Sequence, residues 1–154
     1  MSINTALVLI VILALVVLCS IGMQEASTDE QIDYVANVLE SEAGGEGYIG
    51  IDAVATVIKN RMVFTKKTAY EIVREPHQFT EPFAVSSRGS YAWHLAAMLV
   101  ENPALINVST LPCPTATHFY AHKKCTPWWA EHLVDVKVIR NHTFGRLRDG
   151  KYSK

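Results

Sequence analysis

Glu42 is the residue whose type and spacing point most directly to chemistry. It follows Val38 by four positions and Leu39 by three, at the end of a run in which Ile32, Val35, Val38 and Leu39 recur at helical spacing. Its carboxyl is therefore expected on the apolar side of a helix rather than the solvent side. Partial desolvation and the negative end of the helix macrodipole would both favour the protonated form there. A carboxylic acid kept neutral near neutral pH is a general acid, the proton donor that cleavage of a glycosidic bond needs. Gly44 and Gly45 follow directly and leave room for a bulky polymer. Glu40 is expected about 200° away around the helix, in solvent. The plainer explanation is a surface glutamate ahead of an ordinary Gly helix stop. Glu46 reads either as a first-turn carboxylate of the next helix, where the macrodipole favours it, or as a second group in the site.

The elements that must hold these residues follow from patterning. Residues 24–30 form a short polar linker, and Thr28 with Gln31 makes a capping-box pattern for the first helix. A second helix is expected from about Gly47 to Met62, with Ile51, Val54, Ala55, Ile58 and Met62 along one stripe. Thr68 with Glu71 caps a short third helix that ends before Pro76, and a fourth covers about Ser90 to Glu101, closed by Asn102-Pro103. After Pro112 and Pro114 the stretches THFYAH and LVDVKVIRNHTF carry the β-branched and aromatic residues of strands. The fold class is α+β, a mostly helical domain over residues 31–148 with a small C-terminal sheet.

Composition narrows the setting. The chain has 154 residues, 49% apolar and 19% charged, which suits one domain and excludes a disordered chain. The net charge of −1 hides an asymmetry, because residues 1–58 contain no Lys or Arg but eight acids. The basic remainder includes a late cluster (Lys123, Lys124, Lys137, Arg140, Arg146, Arg148, Lys151, Lys154). Such a cluster is ordinarily a solvated surface, and it would also suit a screened attraction to an anionic polymer. No nucleic-acid-binding module is recognisable around it.

Residues 6–23 are eighteen residues without a charge, roughly 27 Å of helix, close to the hydrocarbon thickness of a bilayer. Residues 1–23 thus read as a signal anchor or signal peptide, a hydrophobic helix in front of the domain. The rest is expected to work outside the cytoplasm, exported and held at the inner membrane or free in the periplasm. Cys113 and Cys125, twelve positions apart on either side of an expected strand, are a candidate disulfide in such a compartment. A zinc site built from Cys113, His118, His122 and Cys125 is the rival, with a spacing unlike the standard zinc arrangements. Neither a metal nor another cofactor is expected.

Four stretches in order resemble one family. Ser41-Glu42-Ala43-Gly44-Gly45-Glu46-Gly47 with GIDAVATVIKNR (residues 50–61) resembles the opening signature of the SleB-like cell wall hydrolases, which are spore-cortex-lytic enzymes and related phage proteins. His77-Gln78-Phe79-Thr80, THFYAHKKCTPWW and Ile139-Arg140-Asn141-His142-Thr143-Phe144 are similar to its later motifs. The resemblance spans about residues 31–146. It implies a lysozyme-like fold acting on peptidoglycan glycan strands, with Glu42 at the position of the catalytic acid. The family's usual Arg is Gly44 here, so any support that the Arg gives is missing.

The resemblance further implies lytic transglycosylase chemistry, which needs one carboxyl group where glycoside hydrolysis needs two. Lysozyme-type hydrolysis is the second reading. Gln78, Thr80 and Asn141 are candidate hydrogen-bonding partners of sugars, and Phe79, Tyr120 and Trp128 candidate stacking platforms. Core packing is the competing role for Phe79 and Phe144, and a hydrogen-bonded structural role for His142. Only one of Trp128 and Trp129 is expected at the surface or in a cleft. Expected partners are peptidoglycan and, through residues 6–23, a membrane, with a monomeric chain and no nucleic acid. A phage endolysin fits this design, as does a bacterial wall-remodelling enzyme. Two rivals change the activity: an amidase cutting the peptide stem from the sugar, and a membrane-tethered wall-binding protein without turnover.

Overall fold

A capping box starts the first helix. The Ser27 hydroxyl accepts from the Glu30 N–H, and the Glu30 carboxylate accepts from the Ser27 N–H at 2.7 Å. The box therefore lies one residue earlier than the Thr28–Gln31 pattern suggests, because Gln31 is occupied in donating to the Ala26 carbonyl. The computed structural model describes residues 8, 10–12 and 25–148. Four α-helices come first: α1 (Thr28–Ala43), α2 (Tyr48–Thr65), α3 (Ala69–Val73) and α4 (Tyr91–Glu101). A 3-10 turn, Gly44–Glu46, joins α1 to α2. Strands β1 (His118–Ala121), β2 (Leu133–Ile139) and β3 (His142–Leu147) follow, forming an antiparallel sheet in the order β1-β3-β2. The molecule is α+β, as its patterning indicates. The apolar stretch over residues 6–23 lies outside the described residues except for Val8 and residues 10–12, and no helix among the described residues is long and apolar enough to cross a membrane.

The core explains why the helices pack as they do. Ile32, Val35, Val38 and Leu39 of α1 are fully buried, and α1 packs mainly on Ala92, Leu95, Ala96 and Leu99 of α4. Helix α2 shows more than the expected stripe: every residue from Ala53 to Ile58 is buried. The reason is its central place, with α1, α3, α4 and β1 all packed around it. Its start needs Gly47, whose φ of 69° and ψ of −168° lie in a region essentially restricted to glycine. Its end overruns Met62 by three residues and stops where Lys66 turns left-handed.

The end of α2 holds the sheet. Asn60 Nδ2 donates to the carbonyls of Pro114 and Ala116 at 3.0 and 2.7 Å, and Arg61 Nε donates to that of Thr117 at 2.7 Å. The Asn-Arg pair is thus a clamp on the segment leading into β1. On the same strand His118 is buried, with Nδ1 2.9 Å from the Thr117 hydroxyl. Burial, and then the nearby Arg61 charge, push its pKa down to about 4. The unfolded chain takes up this proton near pH 6.5, whereas the folded chain refuses it until about pH 4. The associated stability is therefore complete above pH 6.5 and lost as the pH falls toward 4, by about 3 kcal/mol. Urea unfolding across this window is expected to show the midpoint dropping with acidification; a flat midpoint would rule out this environment for the imidazole.

Candidate active-site groove

The loop after α3 has no regular structure of its own, so its backbone donors must be satisfied elsewhere. Side chains of the last turns of α1 do this. Asn37 Oδ1 accepts from the Ser86 N–H at 2.7 Å, and Ser41 Oγ accepts from the N–H groups of Phe83 and Ala84 at 3.0 and 2.9 Å. Glu42 Oε1 accepts from the Thr80 N–H at 2.6 Å. Glu42 is half-buried and faces this loop, so the desolvation expected from its stripe position is only partial. Its second carboxylate oxygen makes no hydrogen bond among the described residues.

Glu46 occupies the opposite situation. It is 4% exposed, and its Oε1 accepts from the Asn141 N–H at 3.1 Å and from His142 Nδ1 at 2.7 Å. Its Oε2 is buried and makes no hydrogen bond among the described residues. A Cβ on Gly50 would come within 3.2 Å of Oε2 and 2.5 Å of the Glu46 Cβ, so a residue without a side chain is required there. Glu46 thus lies against the first turn of α2, where the macrodipole favours a carboxylate, and also ties down the β2–β3 hairpin. The hairpin tip turns through Arg140, whose φ is 48°.

Between these parts runs a groove of about 520 Å³. Glu40, Ser41, Glu42, Gly45 and Glu46 line it from α1 and the 3-10 turn, Phe83 from the loop after α3, and Ala121, Lys123, Lys124, Asn141 and His142 from the sheet and its connections. Glu40 is not directed away into solvent, because its carboxylate folds back over Gly44, where any side chain would collide with it. A larger hollow of about 1040 Å³ lies between the start of α1 and α3. Glu30 and Glu71 on its walls are engaged in capping boxes, and Glu75 is paired with Lys67 at 2.6 Å.

Of the residues nominated from sequence, Glu42, Glu46 and Asn141 meet in the groove, and Thr80 touches Glu42 through its backbone. Phe79 lies under the Arg61 guanidinium, 5.2 Å from its ring centre, and 5.9 Å from Phe119. Tyr120 packs edge-on against Trp129, which also meets His118, and neither Tyr120 nor Gln78 lines the groove. Trp128 is 72% exposed and lies outside it. The aromatic side chain that does line it is Phe83, 76% exposed, which sequence reasoning passed over. Phe144 is fully buried and stacks on Phe119.

Cys113 and Cys125 are both free, in contrast to the expected disulfide. Cys113 is buried before β1 and Cys125 exposed after it. Their partners in the rival zinc arrangement are also dispersed: His118 is buried against Thr117, and His122 lies beside the Thr143 hydroxyl. Among the described residues no group of three or more His, Cys, Asp or Glu is arranged to hold a metal ion.

An α+β domain with an open groove, a half-exposed carboxyl on one wall and polar groups on the other has the form of an acid–base site for an extended substrate. The chain belongs to the Cell Wall Hydrolase family, the SleB-type family that its motifs resemble; the family model matches residues 45–145. This places it among peptidoglycan-degrading enzymes. No curated protein and no solved structure matches the chain.

Proposed function

We propose that the chain cleaves peptidoglycan glycan strands as a lytic transglycosylase, between N-acetylmuramic acid and N-acetylglucosamine, with Glu42 as general acid and then base on a lysozyme-like scaffold. Glu42 donates its proton to the glycosidic oxygen as the bond from the muramyl anomeric carbon breaks. The C6 hydroxyl oxygen of the same sugar bonds to that carbon, and its proton passes to the Glu42 carboxylate. No water is consumed, and the product carries a 1,6-anhydro end. The observation that carries this reading is the environment of Glu42: one oxygen is held by the Thr80 N–H, and the other is uncommitted beside the groove. Glu46 is unsuited to activating water, since it is buried and holds the hairpin.

Glu40 supports a second reading, lysozyme-type hydrolysis, because it brings a further carboxylate to the groove. Mass analysis of released muropeptides separates the two. Anhydromuramyl ends, lighter by one water than reducing ends, are expected; reducing ends, lost in a Glu40→Gln variant, would establish hydrolysis instead. The apolar residues 6–23 support export of the domain to the wall side of the inner membrane, as a phage endolysin using host machinery would require.

A further inference from the structure

Two lysines line the same groove as the acids. Lys123 and Lys124, just after β1, line it together with Glu40, Glu42 and Glu46. Several other cations are occupied: Lys67 pairs with Glu75, Arg88 with Asp29 and Asp33, Arg146 with Asp135, and Lys137 donates to the Pro112 carbonyl. Lys123 and Lys124 form no ion pair among the described residues. Their backbone is nevertheless fixed. The Lys124 and Cys125 N–H groups donate to the Ala121 carbonyl at 2.8 and 3.1 Å, and the His122 N–H donates to that of Asn141 at 3.2 Å. The turn carrying the two ammonium groups is thus tied to the hairpin that Glu46 holds.

We propose that Lys123 and Lys124 form a subsite for carboxylates of the peptide stem, so that the groove recognises stem-bearing strands over bare glycan. The proposal rests on the glycan-cleavage reading for the position of the sugar. The stem hangs from the same muramyl ring whose anomeric carbon Glu42 serves. Its carboxylates would be repelled by the acids and attracted by the lysines, which favours a strand lying with its stem toward Lys123 and Lys124. A compact ammonium on a flexible stem suits an exposed carboxylate whose position varies, and the attraction is screened by salt.

The test uses the full chain in mild detergent, carrying Glu42→Gln so that the strands stay intact. Titration calorimetry measures the binding of soluble glycan strands with their stems and of the same strands after enzymatic stem removal. At low salt the stem-bearing strands are expected to bind about tenfold more tightly, the size of two exposed ion pairs. The ratio is expected to fall toward one in high salt and when K123Q and K124Q are combined. K59Q, which removes a cation that does not line the groove, is expected to keep it. Equal binding of both strand types, or a ratio unchanged in the double variant, overturns the subsite. Cleavage by the unsubstituted chain is followed separately. Failure to cut either strand counts against the proposed reaction, while the binding ratio still decides the subsite.

Discussion

Replacing Glu42 with Gln is expected to slow the release of soluble fragments from purified peptidoglycan by at least about a thousandfold, with the fold intact. The amide keeps an oxygen that can accept from the Thr80 N–H, now at 2.6 Å from Oε1, so the loop stays attached to α1. It removes the one thing the reaction needs from this side chain, a proton that leaves and returns. Thermal unfolding of the Gln variant is therefore expected to match that of the parent. Glu42→Ala is a different experiment, since it also strips an acceptor from the loop that Asn37 and Ser41 still hold. The contrast matters because lost activity in the Ala variant has two causes and in the Gln variant one. A Gln variant that kept about a tenth of the rate would transfer the proton step to another group, and Glu40 is the next to replace.

How much of this was legible in the sequence depends on the range of the interactions involved. Capping, stripes and strand composition are local, and they place the four helices and the sheet with boundaries off by one to three residues. The Thr28 pattern slips to Ser27 because two overlapping boxes fit the same residues and only one leaves Gln31 free to bond Ala26. Helix α2 reads as one-sided because Ala and Val repeat densely, and only packing shows neighbours on every side. The candidate disulfide rests on spacing alone, and spacing does not show that Cys113 is buried while Cys125 is exposed.

The site divides the same way. Glu42 is found from its own helix and motif, whereas the loop that meets it is set by tertiary contacts. Nothing local says that Ser41 accepts from two N–H groups across the chain, or that Phe83 thereby stands at the groove. The stretch Pro76 to Phe83, which also contains Pro82, offers two phenylalanines; the sequence favours the one inside a recognisable motif, which packs inward with Arg61. The basic cluster likewise dissolves into individuals among the described residues, with Arg146 paired, Lys137 bonded to backbone, and Lys123 and Lys124 lining the groove with the acids.

Glu46 is where two roles make opposite predictions. Glu46→Ala is expected to lower stability by about 3 kcal/mol, because it removes a buried carboxylate and leaves the Asn141 N–H and the His142 ring nitrogen without their shared acceptor in a partly buried place. The unfolding midpoint should drop by about 10 °C. Activity should fall too at temperatures where the variant is still folded, since the hairpin tip is then free to shift the wall that carries Asn141 and the turn with Lys123. Glu46→Gln keeps the shape and one acceptor oxygen for the hairpin. If Glu46 positions the wall, the Gln variant retains most of its rate and stability, and the change appears in KM more than in kcat. If Glu46 is instead a second reacting carboxylate, the Gln variant is stable and as inactive as Glu42→Gln. The pair of substitutions therefore separates holding the groove together from taking part in bond cleavage, which neither does alone: Ala disturbs both roles, and Gln removes only the ionisable group.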